Sequence, residues 1–179
     1  EGIYATVSAP LATWTGLDVH GNTQTGLYLS GTLGGIDQLV ATGNRGQGGL
    51  YAEGSLGFLT NSRLTGNVGN GAYLYYPGAP RVQGNLFQGN TGTGLVFNVG
   101  GNTQALVGST NLAAGLGNRF LDNGNGGAGF NGNALVVGNT ASGNFGASNY
   151  GLAKADRGDA GEALNTVQEL LRKGRCAEA

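Results

Sequence analysis

The chain has 179 residues, of which 38 are Gly and 19 Asn, with 11% charged residues and a formal net charge of −1. So little charge excludes a solvated coil, the lack of a Gly-X-Y register excludes collagen, and no apolar run reaches the roughly 18 residues of a membrane span. Near-neutrality also offers no basic field to neutralise phosphates, which excludes nucleic acid as a partner.

Residues 1–150 hold only nine charged side chains and the last 29 residues hold ten. The chain therefore divides into a Gly/Asn-rich body, 1–153, and a charged tail, 154–179. In the body an Asn recurs after a short apolar stretch at Asn22, Asn44, Asn67, Asn90, Asn123 and Asn144, at spacings of 22, 23, 23, 33 and 21. A Gly column (Gly2, Gly26, Gly49, Gly71, Gly94, Gly127) heads segments such as Gly-Ile-Tyr-Ala, Gly-Leu-Tyr-Leu and Gly-Leu-Tyr-Ala. A fixed period of this length marks a repeat protein.

Columns of the repeat identify the inward face. Three positions before each Asn stand Val19, Ala41, Leu64, Phe87, Phe120 and Ala141, all apolar, between neighbours that are mostly polar. That alternation is the period of a strand. The first and third residues after the Gly are likewise apolar, as in Leu27/Leu29 and Leu95/Phe97. A further apolar column, Trp14, Ile36, Leu59, Val82 and Val136, lies eight before the Asn and is interrupted in the long turn. Three short strands per turn with no helix between them predict a coil of parallel strands. Asn suits the bends because it tolerates the left-handed conformation and its amide bonds to the next Asn along the axis. Ser62, Asn85, Asn118 and Asn139 form a second, partial ladder.

These repeats resemble the right-handed parallel β-helix of the pectate-lyase-like superfamily over about residues 2–153, and more weakly bacterial surface and autotransporter passenger repeats. The resemblance implies an all-β, single-stranded right-handed parallel β-helix of about 22–23 residues per turn. A leucine-rich repeat fits Leu17 to Asn22 but fails two positions after the Asn, where Gln24, Gly46, Gly69, Gly92 and Asn125 stand. In the tail, Ala163, Leu164, Val167, Leu170 and Leu171 follow helical spacing with acids first and bases last, which predicts a C-terminal α-helix within 159–173 that caps the coil or links it onward. The chain lacks Met and starts inside a repeat, so it reads as a processed or excised segment.

Two departures invite function. The 33-residue turn carries about ten extra residues within 98–117, and such excursions are where rigid scaffolds place binding loops. The second position after the Gly reads Tyr4, Tyr28, Tyr51 and Tyr73. These side chains alternate with inward ones, so with Tyr75 and Tyr76 they form an outward aromatic strip about 15 Å long. Aromatic bodies with polar tips suit sugar rings, and stacked aromatics also stabilise sheets.

Within the resembled family, lyases hold Ca²⁺ on carboxylates beside a basic residue, and hydrolases cluster Asp for acid and base roles. The body has five acids, and Asp18, Asp37, Glu53 and Asp122 occupy different columns. Asp18 shares its column with Arg63 and Arg119, but Arg63 is two turns away, near 10 Å. His20 beside Asp18 reads as a solvated surface residue, Arg157-Gly158-Asp159 as a chance match to an integrin-type tripeptide, and Cys176 as an unpaired thiol or a partner for an external one. No catalytic residue, metal or other cofactor is expected. The expected function is a secreted or cell-surface adhesion or glycan-binding module of bacterial type, partnered by a polysaccharide or cell-surface glycan. A polysaccharide lyase or glycoside hydrolase scaffold with an incomplete site, or a structural rod that self-associates end to end, are the alternatives.

Overall fold

The computed structural model describes residues 2–98, 105–111, 114–131 and 134–145. The tail 154–179, with the expected helix, Arg157-Gly158-Asp159 and Cys176, lies outside them. The described residues form sixteen strands wound into a three-faced coil whose neighbouring turns pair in parallel.

Face I contains β1 (Ile3–Thr15), β3 (Leu27–Asp37), β5 (Gly48–Glu53), β8 (Asn70–Tyr75), β11 (Leu95–Asn98) and β14 (Ala128–Asn131). Face II continues from the ends of β1 and β3 through β6 (Phe58–Thr60), β9 (Arg81–Gln83), β12 (Ala105–Gly108) and β15 (Ala134–Val137). Face III is the six-stranded sheet of β2 (Asp18–His20), β4 (Val40–Thr42), β7 (Arg63–Thr65), β10 (Leu86–Gln88), β13 (Arg119–Leu121) and β16 (Thr140–Ser142). In the first two turns a single long strand spans faces I and II without a break, so those turns have two strands where the repeat predicts three.

The core follows the apolar columns. Val19, Ala41, Leu64, Phe87, Phe120 and Ala141 stand in register across face III, and the middle four are fully buried. The three inward faces share one narrow interior, and burying each large side chain contributes about 1.5–3 kcal/mol. The face II column is continuous, which corrects the expected interruption: Val107 pairs with both Val82 and Val136. Val107 precedes Asn118 by 11 positions where Val82 precedes Asn85 by three. Eight of the ten extra residues thus fall between Val107 and Asn118, that is, between faces II and III in chain order.

The bends use a division of labour that differs from the sequence expectation. The left-handed conformation falls on the residue before each ladder Asn, Gly21, Gly43, Gly66, Gly89, Asp122 and Gly143, with φ of 55–66°. Freed from that task, each ladder Asn satisfies buried polar groups. Asn67 Oδ1 accepts from the backbone N–H and the Nδ2 of Asn44, at 3.0 and 3.1 Å. Its own Nδ2 donates to Ala41 O at 3.0 Å and to Asn90 Oδ1 at 2.9 Å. The ladder runs from Asn22 to Asn144 with amide links of 2.8–3.1 Å. Ser62, Asn85, Asn118 and Asn139 form the second ladder, and in the preceding turn Leu39 donates its N–H to Ser62 Oγ.

Candidate functional site

Face I places one tyrosine per turn in one outward column. Tyr4, Tyr28, Tyr51 and Tyr73 are direct cross-strand partners. Their rings stack at centroid distances of 4.9, 5.1 and 5.3 Å, 11–20° from parallel. The strip follows from the register: inward Leu27, Leu29, Leu50, Ala52, Ala72 and Leu74 are buried, so the residues between them point out. Two parallel rings about 5 Å apart leave no gap for a third ring, which needs contact near 3.5–4.0 Å on each side. The inner rings of the strip therefore offer edges and hydroxyls, and their faces belong to their neighbours.

Glu53, two residues after Tyr51 on the same outward side, accepts a 2.9 Å hydrogen bond from the Tyr28 hydroxyl. This bond, with desolvation and the Glu53 charge added, holds the Tyr28 proton and pushes its pKa up to about 12. Burial, then the charges of Glu53 and Tyr73, also raise the Tyr51 pKa. Glu53 was not among the site residues expected from sequence, although its position two after Tyr51 was the available signal.

Tyr75 and Tyr76 break the stack. Tyr75 pairs with Glu53 and Asn98 across the sheet, and its ring lies 6.3 Å from Tyr73 at 43°. Tyr76, at the corner ending β8, lies 4.2 Å from Tyr75 at 54°, with a φ of 51°. The neighbouring Tyr76 hydroxyl raises the Tyr75 pKa. Tyr4 and Tyr76, at opposite ends of the six, are the most open, 64% and 53% exposed.

The other sequence candidates stay apart. Asp18 and His20 are exposed on face III, and the register puts Asp18 two rungs from Arg63 and four from Arg119. Asp37 ends β3 and accepts from Thr60 and Asn61, both at 2.8 Å. Asp122 lies in the bend after β13. The excursion of the long turn borders a cleft of about 340 Å³ lined by Ser109, Asn111, Leu116, Asn118, Arg119 and Thr140, among others.

A family model described as a right handed beta helix region matches residues 1–113. No curated protein and no solved structure matches the chain.

Proposed function

Since the chain belongs to the right-handed β-helix family, a fold that fixes no chemistry by itself, we propose that it is a non-catalytic module, secreted or displayed at the cell surface, that binds a polysaccharide along face I. The observation that carries this reading is the in-register column Tyr28, Tyr51 and Tyr73, one phenol per turn, with Glu53 beside it. A repeating row of aromatic edges and hydroxyls offers a repeating polymer the same contact at every turn. Hydrogen-bonded turns hold the row in place, so binding orders few side chains.

Among the described residues, the distribution of acids favours binding over cleavage. Acid-base hydrolysis of a glycoside needs two carboxyl groups about 5–9.5 Å apart across the bond. Asp18 is on face III, Asp37 at the end of a face II segment, Glu53 at the end of a face I strand and Asp122 in a bend.

Retention of the full chain on immobilised polysaccharides tests the reading. Replacing Tyr28, Tyr51 and Tyr73 together by Ala is expected to abolish retention while the far-UV circular dichroism is unchanged. Equal retention would assign the column to fold stability alone. Release of unsaturated uronate products, with or without Ca²⁺, would overturn the non-catalytic reading.

A further inference from the structure

The geometry points to Tyr76, together with Tyr75, as the place where a pyranose residue lacking a carboxylate stacks. This rests on the glycan-binding reading above and narrows it to one corner of the coil.

The first observation is conformational. Ser30 pairs with Glu53, and Glu53 with Tyr75, so the next residues, Gly31, Gly54 and Tyr76, occupy one corner position in successive turns. The two glycines have φ of 103° and 111°, and Tyr76 has a φ of 51°. A bulky L-residue is disfavoured at positive φ, where glycine is not. Tyr76 thus puts a large ring where the neighbouring turns use none. Gln38, Asn61 and Asp122 take a similar φ, so it is the bulk of the ring at this torsion that sets Tyr76 apart.

The second observation is exposure. The ring of Tyr76 is tilted 54° from Tyr75 and is outside the parallel stack. Half of the residue is open to solvent. It therefore presents ring surface, whereas Tyr28 and Tyr51 are flanked by parallel rings on both sides. The Tyr75 ring, 4.2 Å away, braces Tyr76 from one side and puts a second phenol oxygen beside the open ring to meet sugar hydroxyls.

The third observation is charge. Among the described residues, the outward columns of face I contain one carboxylate, Glu53, and no Lys or Arg, Asp37 standing at the face II end of β3. Glu53 is one strand from Tyr75. A uronate brought to the Tyr75 side of this corner meets a like charge, and a neutral or amino sugar does not; the next cation along the chain, Arg81, begins β9 on face II.

The test is isothermal titration of the full chain with cello-oligosaccharides, chitosan oligosaccharides and polygalacturonate. The wild type is expected to bind one or both of the first two in preference to the third. Tyr76→Gly, which gives the corner the residue of the two preceding turns, is expected to bind about tenfold more weakly without a lowered unfolding midpoint. Tyr76→Asn, tolerant of the same φ but lacking the ring, should match it. Wild-type binding by Tyr76→Gly overturns the assignment, and if Tyr51→Ala is then weakened the strip reading stands without it. Loss of binding with a lowered midpoint in both variants assigns the ring to the fold and overturns the proposal. Preference for polygalacturonate overturns the charge argument, and no binding by the wild type to any probe overturns this proposal and the strip reading together.

Discussion

Phe87 and Phe120 stack face to face, with centroids 5.0 Å apart and rings 4° from parallel, although 33 residues separate them. Their strands pair in register on face III, and Asn85 and Asn118, two positions earlier in each turn, are joined through their amides at 2.9 Å. The coil thus closes the long turn on face III as it closes the short ones.

Both rings are fully buried, so Phe120→Ala removes core volume that rigid neighbouring turns cannot refill, and the stack with it. The expected cost is about 3–5 kcal/mol, read from urea unfolding. A loss below about 1 kcal/mol would mean that the turns collapse around the gap, contrary to close packing.

Asn67→Ala strips the middle of the ladder. Asn44 loses the acceptor of its backbone N–H and its Nδ2, and Ala41 O and Asn90 Oδ1 each lose a donor. All of this happens inside, since Asn44, Asn67 and Asn90 are buried. Unsatisfied buried groups make the expected loss about 3 kcal/mol or more. Asn22→Ala, at the half-buried end of the row, should cost only about 1 kcal/mol. Equal losses at the two sites would argue against a cooperative amide row.

These features were legible in the sequence to different degrees. The inward columns and the Asn ladder repeat one residue type at one position, so the period alone reveals them. Val107 escaped because eight extra residues follow it and place it 16 rather than eight positions before Asn123, though Ala105-Leu106-Val107 repeats Ala134-Leu135-Val136. The left-handed bend was placed one residue late, because Asn and the Gly before it recur together and periodicity cannot separate their tasks. The Tyr column was readable, but the stacking that covers its inner rings depends on side-chain rotamers. The Tyr28–Glu53 bond joins different columns in successive turns and so leaves no repeated signature.

Tyr28 gives the fold a dependence on alkaline pH. In the unfolded chain its proton leaves near pH 10, whereas in the folded chain it stays until about 12 because Glu53 accepts it in a hydrogen bond. Between these values the folded state binds more protons. The stability associated with Tyr28 is therefore complete below about pH 10 and falls as pH rises toward 12. Tyrosinate absorbance during an alkaline titration should show a late-ionising tyrosine, which Glu53→Gln moves back toward 10. If the late phase survives in Glu53→Gln, the carboxylate is not its cause.

The bend glycines allow the backbone cost to be measured by itself. Gly66 has a φ of 63°, and a Cβ built there meets nothing within 4 Å, so Gly66→Ala adds no clash. Its effect is the left-handed penalty of about 1–2 kcal/mol, partly offset by the reduced freedom of Ala in the unfolded chain. A net loss of about 1 kcal/mol is expected. Gln38 is the converse case. It has a φ of 57° in a bend where Gly16, Gly84 and Gly138 have φ of 66–69°, and its side chain is exposed. The hydrogen bond from its backbone N–H to Thr60 O, at 3.1 Å, does not depend on the side chain. Gln38→Gly should therefore raise stability by about 0.5–1 kcal/mol, the relieved penalty less the extra entropy of glycine. The two substitutions concern the same torsion with opposite sign. Urea midpoints that move in the same direction for Gly66→Ala and Gln38→Gly would show that something other than the left-handed backbone sets the stability of these bends.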